Sequence, residues 1–402
     1  MRARPSAATD RARTKHHALF RSRPSHSLAV LLGTVALSAR ADDYDYTYGS
    51  DARAFAMGGV GLAFTRGQNN AQSYNPASLG FASKSFDFYV PSVSVRADGA
   101  ISSSKAYDFL YNGLRQRDVT GLFQRYATKD SVFGLNANAG FRFGSFEVLV
   151  GGVGKARLQP NGALSSWAGS GANLSSVPLN AGADLLAAGY LELPSIAYAF
   201  KLPVGTQKGD NKRGYDNSIG VRVRVLQSFY TRYIANAGTV ASGTDAIKAP
   251  ELGGKDFLKK TGVGADLGFL ARPRAGKGFN FALVGNNLVK PGSKFTAFNS
   301  GLAGYNGRVG SGDKFDLLQT TVSLGTAYEA GGLTFGADLM DISGATRPLD
   351  FRFGGEQRFG KGFALRAGYS SGTGATIGVG IFGFDFAAAQ RLPLEVNKTL
   401  KF

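Results

Sequence analysis

Apolar and polar residues alternate with period two along most of the chain beyond residue 84. In Phe133–Phe143 one face carries Phe133, Leu135, Ala137, Ala139, Phe141 and Phe143, and the other Gly134, Asn136, Asn138, Gly140 and Arg142. Ile219–Val225 sets Ile219, Val221, Val223 and Val225 against Gly220, Arg222 and Arg224. Residues 349–359 set Leu349, Phe351, Phe353 and Phe359 against Arg352, Glu356 and Arg358. Successive side chains of a strand point to opposite faces, so the pattern predicts strands with one apolar and one polar side. Several reach about ten residues, the length a tilted strand needs to cross a bilayer. Fourteen segments qualify: 85–97, 131–143, 146–157, 190–202, 217–233, 261–272, 279–290, 317–328, 333–341, 349–359, 363–369, 375–381, 384–389 and 394–402. The expectation is an all-β fold, a transmembrane antiparallel β-barrel of about 14 strands.

The connections alternate in length. Those at 98–130, 158–189, 234–260 and 291–316 are long; Gly144-Ser145, 273–278, 329–332, Gly360–Gly362 and Phe382-Gly383 are tight, with 203–216 intermediate. Long loops on one side and short turns on the other mark outer-membrane barrels, and an even strand count puts both barrel ends on the short-turn, periplasmic side. Aromatic residues flank those turns (Phe143 and Phe146, Phe279, Tyr328, Phe359 and Phe363, Phe384), as in an interfacial girdle. The final segment, Leu394–Phe402, places Val396, Leu400 and Phe402 on one face. It is similar to the C-terminal signal read by barrel-assembly machinery, with Phe402 and Leu400 as its apolar marks. Lys398, on the same face, departs from that pattern.

Ahead of the strands, Arg21 and Arg23 precede an apolar run, Leu28–Leu37, too short to span a membrane. Ala39-Arg40-Ala41 then offers a small-x-small cleavage site before Asp42. Residues 1–41 are therefore expected to be a Sec-type signal peptide, 42–84 an N-terminal hatch segment, and 85–402 the barrel. The formal charge is +18. Eight of the 46 Lys and Arg and one of the 28 acids lie in residues 1–41, leaving +11 on the mature chain. Those basic residues are scattered, which argues against a nucleic-acid partner and leaves outer-membrane lipid headgroups as a suitable one. All three histidines, His16, His17 and His26, lie in the leader, and the chain has no cysteine. A mature chain without either cannot form a Ser-His or Cys-His nucleophile pair or a usual zinc site. The expectation is a non-enzyme with no catalytic residues, no metal and no cofactor.

Residues 52–81 are not generic barrel. Gly58, Gly59 and Gly61 permit tight turns, and Asn75-Pro76 starts another. The stretch Arg53-Ala54-x-x-Met57-Gly58-Gly59 followed by Asn75-Pro76-Ala77 resembles the start of the FadL-like superfamily of outer-membrane transport proteins, with its PorV-like and TraF-like relatives. Gly285-Asn286-Asn287-Leu288 is similar to that family's Asn-Leu turn, and 335–339 and 353–369 to its paired late strands. Pro91-Ser92-Val93 is most similar to the TraF-like branch. The resemblance implies an outer-membrane location in a diderm bacterium and a hatch plugging a 14-stranded barrel, anchored by Asn75, Pro76, Ala77, Gly58 and Gly59. It also implies a hydrophobic ligand.

With the apolar faces toward lipid, Arg142, Glu147, Arg222, Arg224, Asp266, Asp338, Arg352, Glu356, Arg358 and Arg366 line the lumen. Charges at bilayer depth must face water or one another. They serve either as ion-pair networks holding a plugged lumen together or as an arginine-rich path suited to a carboxylate. The 98–130 loop has helical periodicity broken at Gly113 and Gly121, for packing over the mouth or admitting a greasy ligand. The Gly/Ser/Ala-rich 159–189 loop, with Trp167, reads as mobile. Two functions follow: passive transport of hydrophobic small molecules such as long-chain fatty acids, or a non-transporting scaffold in secretion, conjugation or surface assembly.

Overall fold

The computed structural model describes residues 52–65, 74–82, 86–98, 128, 131–170, 176–203, 214–236, 258–292, 294–296, 314–344, 349–360, 362–390 and 394–398. Among them fourteen strands close a barrel: β1 (Phe86–Asp98), β2 (Ser131–Phe143), β3 (Phe146–Pro160), β4 (Gly182–Lys201), β5 (Tyr215–Asn236), β6 (Leu258–Pro273), β7 (Phe279–Val289), β10 (Thr321–Ala330), β11 (Leu333–Met340), β12 (Asp350–Phe359), β13 (Phe363–Ser370), β14 (Gly374–Ile381), β15 (Phe384–Ala389) and β16 (Leu394–Lys398). Two short strands, β8 (Lys294–Thr296) and β9 (Lys314–Asp316), pair with each other outside the barrel order. Neighbours around the barrel are antiparallel, and β1 closes on β16 through pairs such as Val95 with Val396.

The alternation sorts the two faces as expected. Val221 and Val223 are 41% and 45% exposed, while Arg222 and Arg224 between them are 4% exposed each. Large apolar side chains cover the outside, the charged side chains of the strands turn inward, and closure leaves no edge among the barrel strands. Those are the two conditions for crossing a bilayer with strands. Aromatic residues pair beside the short turns: Phe359 with Phe363, ring centroids 5.8 Å apart, and Phe279 with Tyr328 at 5.6 Å. At the 382–383 turn the exposed Phe382 takes φ +47 before Gly383 at +86, an unusual cost for a bulky residue.

Three expectations need correction. β4 begins at Gly182 rather than 190, because Asn161 organises the preceding stretch. Its Oδ1 accepts from the Leu164 and Gly182 amides at 2.9 and 3.2 Å, and its Nδ2 donates to the Asn180 carbonyl at 2.7 Å. That cap starts a helix, Gly162–Ser170, in the segment read as mobile, and Trp167 on it is buried. Finally, β10 starts at Thr321 instead of 317, since Leu317 and Leu318 are buried inside the barrel. The leader 1–41, the helical periodicity within 98–130, and Leu400 and Phe402 lie outside the described residues.

Candidate functional site

The N-terminal segment lies against the inner face of the barrel. A short helix, Ala52–Ala56, turns sharply at Met57–Gly59: the Gly59 amide donates back to the Ala54 carbonyl at 2.7 Å, and Gly58 and Gly59 take φ of +72 and +83. A side chain at Gly58 would collide with the backbone of Tyr369 on β13. The wall makes the reciprocal concession. A Cβ at Gly354 on β12 or Gly368 on β13 would fall on the Met57 backbone, and one at Gly220 on β5 on that of Pro76. Chain and wall therefore meet backbone to backbone, closer than any side chain allows.

Asn75, Pro76 and Ala77 form the second anchor. Asn75 is fully buried; its Oδ1 caps the following 3-10 turn, Pro76–Phe81, by accepting from the Ala77 amide at 2.9 Å. Its Nδ2 donates to the Leu62 carbonyl at 3.0 Å and to Phe269 of β6 at 3.2 Å, so one amide joins both halves of the segment to the wall. Below the turn, Leu79 packs on Ala197 and Ala199, and Lys201 and Arg272 lie over the Phe81 ring at 5.4 and 5.5 Å. These residues adjoin short turns, which places the segment at that end of the lumen.

Polar side chains from the wall meet the segment's remaining backbone groups. Asp338 accepts from the Gly61 and Leu62 amides at 2.7 and 3.2 Å. Glu329 accepts from the Thr65 hydroxyl at 2.6 Å, and Asn280 donates to the Ala63 carbonyl at 3.0 Å. Thr376 donates to the Ala56 carbonyl at 2.9 Å, and Arg352, salt-bridged to Asp350, reaches the Gly59 carbonyl at 3.4 Å. Arg53 grips Glu356 with two hydrogen bonds of 3.0 Å. Glu356 also accepts from Arg358 at 2.7 Å and Arg366 at 2.6 Å, and Arg366 continues to Asp385 at 2.6 Å. Of the expected lumen set, Asp338, Arg352, Glu356, Arg358 and Arg366 thus converge on the segment, with the Arg358 side chain 43% exposed.

Arg222, Arg224 and Asp266 form a separate layer one step further from the short turns. Glu192 accepts from Arg222 at 2.6 Å and Arg224 at 3.0 Å; Asp266 faces the same two arginines at 3.5 and 3.3 Å. Arg222 also donates to the Ser195 hydroxyl at 2.8 Å. Asn287, at φ +50, donates its amide to Asp266 at 2.7 Å, accepts from Arg224, and holds the Gln319 carbonyl through Nδ2 at 2.9 Å. The Asn-Leu turn seen in the sequence is therefore a polar hinge pin joining this layer to the 317–320 segment. Arg142 stands apart on β2, paired with Asp87 of β1, and buried Glu147 is its cross-strand neighbour on β3. An arginine excess along an open path is not what these residues form: each of these arginines meets a carboxylate.

Beyond the charged layer the interior turns apolar. Leu186, Ala188 and Tyr190 of β4 and Leu226 and Tyr230 of β5 enclose Phe295 of β8, with Leu317 and Leu318 closing the cluster. Phe295 is 2% exposed and stacks on Tyr230, centroids 5.5 Å apart and planes 18° from parallel. The sequence marks Arg53 and Asn287 only as members of motifs, and Glu192 and Phe295 not at all. Glu192 was hidden because a bulge between Glu192 and Ser195 shifts the β4 register, so strict alternation could not assign its face.

Comparison with solved structures gives the same architecture. A TodX monoaromatic hydrocarbon channel, in a deltaS2S3 mutant form, matches with a TM-score of 0.51 at 14% identity, covering 88% of this chain and 97% of its own. The toluene transporter TbuX of Ralstonia pickettii gives 0.48 at 16% identity, over 88% and 98% of the two chains. At 14% identity the TodX likeness speaks to fold. No curated protein matches the chain in sequence. The family model described as "F plasmid transfer operon, TraF, protein" matches residues 72–340, from just before the Asn75 anchor to the end of β11. The chain belongs to that TraF family.

Proposed function

We propose that the protein is exported, cleaved after Ala41, inserted by barrel-assembly machinery, and passively transports small hydrophobic molecules across the outer membrane. The observation that carries this reading is the apolar cluster of leucines, tyrosines and a phenylalanine inside the lumen, beyond the charged layer. A water-filled pore has a polar interior. An enclosed apolar chamber bordered by a few fixed polar groups is the usual form of a site for an apolar guest. The fold shared with a hydrocarbon channel supports the same direction. Long-chain fatty acids would bring a carboxylate to arginines already held by Glu192 and Asp266, so uncharged apolar molecules are the first substrates to test.

The second reading, a barrel serving as scaffold in conjugation or surface assembly, is favoured by how firmly the N-terminal segment is stitched to the wall, and by the family's description. Uptake into proteoliposomes separates the two. Labelled toluene and palmitate would be followed with wild type, Pro76→Ala, or no protein. Pro76 fixes its own φ and keeps Asn75 extended, so its loss loosens the anchor without touching a strand. Uptake above the protein-free control, altered by Pro76→Ala while heat-modifiable gel mobility is unchanged, supports transport. Wild type equal to the control for both substrates gives the scaffold reading the lead.

A further inference from the structure

Arg142, Arg222, Arg224, Arg352 and Arg366 each meet a carboxylate inside the lumen. At the short-turn end, Lys201 of β4 and Arg272 of β6 do not. Lys201 shares its face with Ala197 and Ala199, 1% exposed each, and Arg272 shares its face with fully buried Leu270, so both turn inward. Their charged ends lie 5.4 and 5.5 Å from the centroid of one ring, Phe81, the last residue of the 3-10 turn. Asp216 of β5 stands opposite Arg272 in the register, yet its carboxylate accepts from Arg274 at 3.0 Å instead. Among the described residues, no carboxylate lies within salt-bridge distance of Lys201 or Arg272. At this corner of the rim, Lys201, Arg272, Arg274 and Lys277 thus stand against the single described acid Asp216.

One cation over a ring is a favourable contact. A second brought to the same ring adds like-charge repulsion, which a bound anion relieves. The lipid-facing side of this corner is aromatic and uncharged: Tyr215 and Phe281, 39% and 49% exposed, have ring centroids 5.9 Å apart. Lipid headgroups therefore meet the aromatic side, while the cations open on the inner rim, toward the periplasm in an outer-membrane barrel.

We propose that Lys201, Arg272 and Phe81 form a docking site for an acidic segment of a periplasmic protein, whose carboxylates pair with the two cations. Arg272 offers a fork that takes a carboxylate through two hydrogen bonds, and Lys201 a point charge that takes a second from a range of angles. An extended segment sets same-face carboxylates roughly 7 Å apart, a spacing that two cations gathered at one ring can meet. Because Phe81 ends the turn capped by Asn75, the docked segment rests on the N-terminal segment itself. The site gives the scaffold reading its partner and rests on that reading for its biological role; binding itself is measurable without it.

The test is fluorescence anisotropy of a labelled peptide with glutamate at alternate positions, on purified barrel in uncharged detergent. The same peptide with glutamine in place of glutamate is the control. Lys201→Gln and Arg272→Gln should each weaken binding by about threefold and the double variant by about tenfold, the scale of one and two exposed ion pairs. Phe81→Leu keeps every charge but loses the ring that gathers them, and should also cost about threefold. Lys290→Gln, at the other end of β7, should bind as wild type does. If the double variant does not fold, judged by heat-modifiable gel mobility, the single variants decide the question. Equal affinity in wild type and the variants lacking Lys201 or Arg272 would overturn the proposal. An equal loss in Lys290→Gln, or equal binding of the glutamine peptide, would do the same by showing general attraction. Loss of peptide binding in phosphatidylglycerol nanodiscs but not phosphatidylcholine ones would give the cations to lipid, and would also overturn it. Peptide binding together with toluene or palmitate uptake above the protein-free control would leave the site standing and take the lead from the scaffold reading.

Discussion

The two ends of the lumen are filled in opposite ways. Near the short turns, the N-terminal segment is seated backbone on backbone, through strand glycines such as Gly354 and Gly368, and its amides and carbonyls are met by Asp338, Glu329, Asn280 and Thr376. Beyond the Arg222–Arg224 layer, the filling is apolar, with Phe295, Leu317 and Leu318 packed on β4 and β5 through side chains. The first kind of contact cannot be moved without orphaning many buried polar groups at once, each costly in a dry interior. The second is mainly apolar, with the Lys260 hydrogen bond to the Lys294 carbonyl beside it.

Breaking the contacts of the N-terminal segment should have the largest effect. Glu356→Gln removes the carboxylate shared by Arg53, Arg358 and Arg366, and should destabilise the fold by about 3–5 kcal/mol, the range for a buried ion pair losing one partner. Urea unfolding in lipid vesicles measures this, and an unchanged midpoint would mean that water reaches the cluster and screens it. A smaller change tests the backbone contact alone. Gly354→Ala puts one methyl against Met57 and should cost about 1–3 kcal/mol, typical of overpacking, with faster proteolysis within residues 52–65. A silent substitution would show that the segment can retreat from the wall.

The smallest effect should fall at the other end. Phe295→Ala should cost less than about 1 kcal/mol, against roughly 3–5 kcal/mol for a phenylalanine in a packed core, because only the β8–β9 pair loosens. The same urea titration compares it with Glu356→Gln. A loss as large as that of a core phenylalanine would erase the contrast between the two ends and make the Phe295 cluster part of the fold's core.

Much of this architecture is written in short-range order. Alternation alone placed Val221 and Val223 outside and Arg222 and Arg224 inside, and located β2 and β15 to the residue, because a strand's faces are set by parity and lipid enforces it. The turn-forming residues Gly58, Gly59, Asn75 and Pro76 announced a special segment, since their backbone preferences are local. Which charges meet is a different kind of information. Arg53 and Glu356 are 303 positions apart, and only barrel closure and the bulge after Glu192 bring together the partners that neutralise the lumen. Phe295 carried no signal at all in a three-residue strand amid a long connection. Its burial depends on an apolar cluster drawn from β4, β5 and the 317–318 segment, and a surface assembled from three distant stretches exists only once the chain has closed.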